Sequence, residues 1–243
     1  MRIRGLQAAY RSRVDSMNPI IEQMLRDEEQ DFEVRKWSVH ILGTTDPRKY
    51  KRTIRRKARD ASEDLNLRKE AIFALTESDD DRTLGALCAL LGDTNPEIRK
   101  SVAWALSKIS SPDTINCLLA ALEDDEESVR DWAIRGLRDM DDSRALEKLA
   151  EALVNSPPEE QVRMVRLVVE KRSEVILRAL VVLLDSRSVE VRRVAAWAMG
   201  VSPYPPAVPS LKPLLEDSDG EVRDYARIAL IRSGGLDPAD LHL

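Results

Sequence analysis

The amino-acid sequence predicts an all-α chain built as a solenoid of about seven stacked helix pairs. Three observations carry this reading: a composition that favours helices, a motif that recurs about every 31 residues, and an apolar stripe of helical period within the copies. The 243 residues are 43% hydrophobic but 4% aromatic, 33% are charged, and there are nine glycines. That balance suits helices better than sheets. The motif is a Val, Ile or Leu followed by Arg, and it opens "VRKWSVHILG" at 34, "LRKEAIFALT" at 67, "IRKSVAWALS" at 98, "VRDWAIRGLR" at 129, "VRMVRLVVEK" at 162, "VRRVAAWAMG" at 191 and "VRDYARIALI" at 222. The intervals are 33, 31, 31, 33, 29 and 31 residues. In the third copy Ile98, Val102, Ala105, Leu106 and Ile109 gather on one side of a helix.

Each copy has the same internal order. A first apolar helix, such as "TLGALCALLG", ends in an acidic turn such as "GDTNPE", and the Val-Arg pair then opens a second helix. Asp, Ser and Glu before that helix satisfy its free N–H groups and its dipole. Pro19, Pro47 and Pro112 stand early in first helices, where a missing N–H costs nothing. Neither helix buries its stripe alone, so neighbouring pairs must stack into one core. The expected organisation is a single solenoid over 1–243: an N-terminal cap at 1–17 with Ile3, Leu6, Tyr10 and Val14 facing inward, seven repeats over 18–232, and a tail at 233–243 in which Gly234-Gly235 stops the last helix.

The pattern D-x-x-x-E-(V/I)-R-x-x-A-x-x-A-L, well matched at 93–106 and 217–230, resembles the HEAT repeat, in the short HEAT-like form associated with phycobilisome lyases. The resemblance implies an armadillo-like α-solenoid, a right-handed superhelix with the second helices on its concave side. It implies less about function, because such folds host scaffolds, adaptors, lyase subunits and some DNA-repair enzymes. The recurring Arg35, Arg68, Arg99, Arg130, Arg163, Arg192 and Arg223 sit about 70° from the stripe centre, where a guanidinium can bridge acidic turns of adjacent repeats.

No reaction is legible. There are two histidines, His40 and His242, and no HExxH, paired CxxC, GxGxxG or P-loop. The sequence therefore predicts no catalytic residue, no metal and no cofactor. Cys88 and Cys117 read as buried small hydrophobes of a reducing compartment, not as a disulfide. The start of the chain lacks a signal-peptide run, and "EVILRALVVLLDS" is interrupted by Arg178 and too short to span a bilayer. A cytoplasmic, monomeric protein is expected.

A surface is legible. Counting three residues after each Val gives Trp37, Glu70, Ser101, Trp132, Val165, Val194 and Tyr225; counting six gives His40, Phe73, Trp104, Arg135, Val168, Trp197 and Ile228. All four tryptophans fall in these two columns, and Trp104 lies about 150° from its helix's apolar stripe. Rings kept on a wet face mark a binding surface. Counting two residues gives Lys36, Lys69 and Lys100, then Asp131, Met164, Arg193 and Asp224. The expected site therefore comprises Lys36, Trp37, His40, Lys69, Phe73, Lys100, Trp104, Trp132, Arg135, Arg193, Trp197 and Tyr225. Its expected partner is a protein offering an acidic or amphipathic segment.

A second feature is the basic stretch Arg48, Lys49, Lys51, Arg52, Arg55, Arg56, Lys57 and Arg59, eight cations in a chain whose net charge is −5. Its Tyr50, Ile54 and Ala58 keep an inward stripe. It reads as a solvated face, a docking patch for an acidic protein, or a nucleic-acid contact. The expected function is a non-catalytic scaffold or adaptor binding a protein in its concave groove. The runner-up is a DNA-binding or repair protein resembling the HEAT-like alkylpurine glycosylases, with Asp131 flanked by Trp132, Trp104 and Arg135. A third alternative is a phycobilin lyase-type subunit.

Overall fold

The computed structural model describes residues 2–12, 15–78, 80–140 and 142–237. Val14 and residues 238–243, with His242, lie outside these, as does the side chain of Arg48. The described residues form fifteen α-helices and no strand, and the chain divides into two compact units, 1–136 and 137–243.

The first unit holds α1 (Arg2–Arg11), α2 (Asn18–Arg26), α3 (Phe32–Thr45), α4 (Pro47–Arg59), α5 (Leu65–Ala74), α6 (Asp81–Leu90), α7 (Pro96–Ile109), α8 (Ile115–Ala121) and most of α9 (Glu127–Asp139). Here α2 packs on α3, α4 on α5 and α6 on α7, while α3, α5 and α7 lie side by side. The caps are those the acidic turns predict. Asp31 accepts from the Glu33 amide, Asp64 from Asn66 and Leu67, and Asn95 from Glu97, each replacing a bond the first turn lacks. Ile21, Leu25, Leu42, Ile54, Leu67, Ile72, Leu87, Ile98 and Leu106 form the core, and Leu6 of α1 is buried against it. The expected inward stripe of α4 is present: Tyr50, Ile54 and Ala58 are all buried. Close approach between second helices is set by small residues. A Cβ at Gly43 would come within 2.5 Å of the Ala74 Cβ, so α3 and α5 touch where no larger side chain fits.

The second unit holds α10 (Ser143–Asn155), α11 (Pro158–Val168), α12 (Glu174–Leu183), α13 (Val189–Val201), α14 (Val208–Leu211), continued by a 3-10 turn over Lys212–Glu216, and α15 (Gly220–Arg232). Leu149, Leu153, Val165, Ile176, Leu180, Val191, Ala195, Leu211, Val222 and Leu230 are its core.

The recurring arginines tie turns together in a fixed pattern. Arg99 donates Nε and one terminal nitrogen to the two carboxylate oxygens of Asp124 at 2.8 and 2.9 Å, and the other terminal nitrogen to the Asp93 carbonyl at 3.1 Å. Arg192 repeats this on Asp217 at 2.7 and 3.0 Å and on the Ser186 carbonyl at 2.8 Å. Arg68 pairs with Asp93, and Arg35 with Glu63. Arg130 and Arg223 each hold two carbonyls of their own preceding turn. Four of these arginines, Arg99, Arg130, Arg192 and Arg223, therefore clamp the turn before their helix, and four, Arg35, Arg68, Arg99 and Arg192, pair with a carboxylate of the next repeat; Arg99 and Arg192 do both.

The fifth copy departs from the expected register. Its inward position is Gln161, buried and donating to the Val154 carbonyl at 2.8 Å, rather than Val162. The buried stripe is then Gln161, Met164, Val165 and Val168, the i, i+3, i+4, i+7 set of a helix face. Val165 and Val168, expected on the outward columns, are thus fully buried, as is Met164. Arg163 is displaced with them and pairs with Glu160 of its own helix.

The cysteines correct a second expectation. Cys88 of α6 and Cys117 of α8 are joined by a disulfide, Cα to Cα 5.5 Å, and no free cysteine remains. Their separation of 29 residues is close to one repeat, which places them on neighbouring first helices. Both are half-exposed, so they are not the buried hydrophobes the apolar runs suggested.

Candidate interaction surface

In the first unit the outward faces of the second helices carry ring contacts from one helix to the next. On α3, Trp37 meets His40 edge-on at 5.7 Å, and Tyr10 of α1 covers the same imidazole at 5.3 Å. His40 Nδ1 lies 3.2 Å from a Glu70 carboxylate oxygen on α5. Phe73 of α5 packs edge-to-face on Trp104 of α7, ring centres 4.8 Å apart and planes at 85°, the arrangement their quadrupoles favour. Phe73 remains 39% exposed while Trp104 is half-buried. Part of the Trp104 ring is thus covered by its neighbour in the column. On α9 the Arg135 guanidinium stands 5.8 Å over the Trp132 ring, a cation–π contact.

The lysine row is not a bare cationic edge. Lys69 and Lys100 converge on Glu97 at 3.1 and 3.9 Å, and Lys36 lies 3.8 Å from Glu33. The hydrogen bond from Lys69, then the charge of Lys100, hold the Glu97 carboxyl below the usual carboxylate range. Lys36, Lys69, Glu70 and Phe73 line a shallow cleft of about 360 Å³ between α3 and α5. Acid and base alternate there; Glu70 stands in the counted column, whereas Glu33 and Glu97 come from first turns and are missed by counting along it.

In the second unit Trp197 and Tyr225 line a separate cleft of about 460 Å³ with Arg166, Arg193 and Val162. Arg193 is fixed by Asp219 at 2.9 Å and Glu221 at 3.3 Å. Arg166 was absent from the sequence-predicted set; the one-residue register shift of α11 is what brings it to this wall. Ile228 is 44% exposed and extends the apolar face on α15.

The described side chains of the basic stretch sort into four groups. Lys57 does not belong to a surface patch: it is 1% exposed, with Nζ 2.6 Å from a Glu63 oxygen, and Glu63 also takes Arg35 at 2.5 Å. Burial raises the Glu63 carboxyl, but the hydrogen bonds from Lys57 and the Asp64 amide, with the charges of Lys57 and Arg35, outweigh it and leave it below the ordinary value. Lys51 and Arg55 both pair with Asp80, at 3.1 and 3.2 Å. Lys49 lies over the Tyr50 ring at 5.1 Å. Arg52, Arg56 and Arg59 remain, exposed and in no ion pair among the described residues.

Among the described residues no group of three or more His, Cys, Asp or Glu side chains converges to hold a metal, and no helix is long and apolar enough to cross a membrane. Asp131, Trp132 and Arg135 share one face of α9, with no such cluster around them.

Comparison with known proteins agrees with this architecture. The family model described as HEAT repeats matches residues 53–138, 86–170 and 146–231, and the chain belongs to that family. No curated protein matches the sequence. Among solved structures, Kap95p, seen with RanGDP, is 14% identical over 92% of this chain and 37% of its own, with a TM-score of 0.63. The E. coli protein YibA is 18% identical over 93% of this chain and 85% of its own, with a TM-score of 0.54. The CpcE–CpcF complex of phycocyanin lyase from Nostoc is 16% identical over 90% and 94%, with a TM-score of 0.46. At these identities the likeness is one of fold alone: an all-α, armadillo-like repeat solenoid.

Proposed function

We propose that the chain is a non-catalytic scaffold or adaptor that binds another protein on the outward faces of its second helices. The observation that carries this reading is the Phe73–Trp104 pair, two large rings packed edge to face with Phe73 left 39% exposed. Rings held this way are pre-ordered anchors, and aromatic side chains with arginine are the usual centres of binding energy. The Trp197–Tyr225 cleft supplies a second anchor point, and Kap95p with RanGDP is an example of a similar fold engaging a protein. The alternating Lys and Glu side chains around Phe73 favour a partner segment of mixed charge over a purely acidic one. The organisation into a cap at 1–17, repeats over 18–232 and a tail belongs to this same proposal, as does a monomer, whereas the Cys88–Cys117 link removes the reduced cysteines on which a cytoplasmic location was expected.

The test is a photo-crosslinking residue placed at Phe73, followed by calorimetry between the purified captured protein and the chain. Phe73→Ala with Trp104→Ala, and separately Trp197→Ala, should each weaken binding tenfold or more while the melting temperature moves by a few degrees. Unchanged affinity in both would overturn the assignment of these rings.

A further inference from the structure

The structure assigns a second binding site, on the opposite helices of the first unit: an open cleft of about 1120 Å³ between α2, α4 and α6. Six arginines line it, Arg26 from α2, Arg52, Arg55, Arg56 and Arg59 from α4, and Arg82 from α6. Asp60 is the single carboxylate in the lining, and Gly85, Ala86 and Ala89 are its apolar residues. The sequence shows four of these arginines as a run; Arg26 and Arg82 join them only through the packing of three repeats.

Two of the six are already used. Arg26 pairs with Glu22 at 2.6 Å, and Arg55 with Asp80 at 3.2 Å and the Thr83 hydroxyl at 3.1 Å. Arg52, Arg56, Arg59 and Arg82 are exposed and make no ion pair among the described residues. Four exposed guanidinium forks, without an ion pair among the described residues, converge on one cleft whose lining holds a single carboxylate, Asp60, so positive charge is in excess there. The acidic remainder does not cancel it, because surface fields decay over about 8 Å at physiological salt.

We infer that the cleft binds the phosphodiester backbone of a nucleic-acid duplex. Three features choose this occupant. Every cation lining the cleft is arginine, whose planar fork matches phosphate oxygens two at a time. Arg52, Arg56 and Arg59 follow i, i+4, i+7 spacing and so span about 10 Å of helix axis, the rise of about three phosphates of one strand. The apolar lining is confined to one glycine and two alanines, with no ring. A peptide would find no pocket for an anchor side chain there, and a single strand no platform for its bases. Backbone contacts of this kind position a duplex without reading its sequence.

The experiment is fluorescence anisotropy with a labelled 20-base-pair DNA duplex of arbitrary sequence at 50 mM salt. Wild type should bind with log K falling against log salt at a slope of about −3 to −4, as expected for four phosphates. Arg56→Gln with Arg59→Gln and Arg82→Gln should weaken binding at least tenfold and flatten the slope. All three are exposed, and circular dichroism checks that the fold is retained. Phe73→Ala and Trp104→Ala should leave duplex binding unchanged, which separates this site from the protein-binding face. Absence of binding at 50 mM salt, or equal binding by the triple variant, overturns the proposal. So does tighter binding of a single strand, or displacement by poly-glutamate at concentrations at which the duplex itself competes, which would assign the cleft to an acidic protein.

Discussion

Arg99 grips Asp124 with two parallel hydrogen bonds of 2.8 and 2.9 Å, 25 residues along the chain, while holding the Asp93 carbonyl of its own turn at 3.1 Å. One side chain thus fixes two successive turns at a common spacing. Hydrogen bonding to Asp124 raises the Arg99 pKa against its desolvation, and both side chains are about nine-tenths buried. Arg99→Lys keeps the charge but loses the fork, and should cost about 2 kcal/mol in urea unfolding. Asp124→Asn should cost a similar amount. A double variant much less destabilised than the two single costs combined would show that they act as one unit, and strict additivity would contradict it.

The buried Lys57–Glu63–Arg35 cluster predicts a pH dependence. The folded Glu63 carboxyl sits below the ordinary value of 4.5. Its contribution is therefore complete above that value and is lost as pH falls through the lower folded value. Urea-derived stability followed from pH 7 to pH 3 should decline more steeply in wild type than in Glu63→Gln. At pH 7 the same substitution strands an ammonium that is 1% exposed and should cost about 3–5 kcal/mol. Lys57→Met should cost less, since Arg35 still satisfies Glu63. The reverse order would contradict this account.

The Cys88–Cys117 disulfide closes a 29-residue interval. Loop-closure entropy gives about 3–4 kcal/mol for a ring of that size. Cys88→Ser with Cys117→Ser should therefore lower the unfolding free energy by roughly that amount, and reducing agent should do the same to wild type while leaving the serine variant unaffected. A melting curve of wild type indifferent to reductant would contradict the link.

Much of the fold was legible because helix-pair repeats write their period into the sequence. The Val-Arg pair, the acidic caps and the small residues at contact positions recur with it. What was not legible arose where one repeat meets the next. Gln161 replaces a valine at the inward position, so pattern matching slid by one residue to Val162 and exposed Val165 and Val168 that are in fact buried. Lys57 looked like one cation in eight, and only the packing of α4 on α5 brings Glu63 to it. Arg82 lies 23 residues beyond Arg59, and no count along one helix joins them. The candidate rings form a column in the sequence count, but their pairing across helices depends on the inter-helix distance.

That distance leads to the last prediction. A Cβ at Gly43 would lie 2.5 Å from the Ala74 Cβ and 3.3 Å from the Ala74 Cα. Both belong to helices that carry the ring face, Trp37 and His40 on α3 and Phe73 on α5. Gly43→Ala gains about 1 kcal/mol of helix propensity. The contact is with a short side chain fixed to backbone, so it cannot swing away, and the two helices must move apart. The overpacking cost of about 1–3 kcal/mol should exceed the gain. Ala74→Gly removes the opposing methyl and should restore the spacing, giving a coupling energy of about 1 kcal/mol or more in the double-mutant cycle. Because the His40–Glu70 contact at 3.2 Å spans the same two helices, Gly43→Ala alone should also shift the His40 ring resonances, and Gly43→Ala with Ala74→Gly should return them. Additive energies with unmoved His40 resonances would mean that small residues do not set this face.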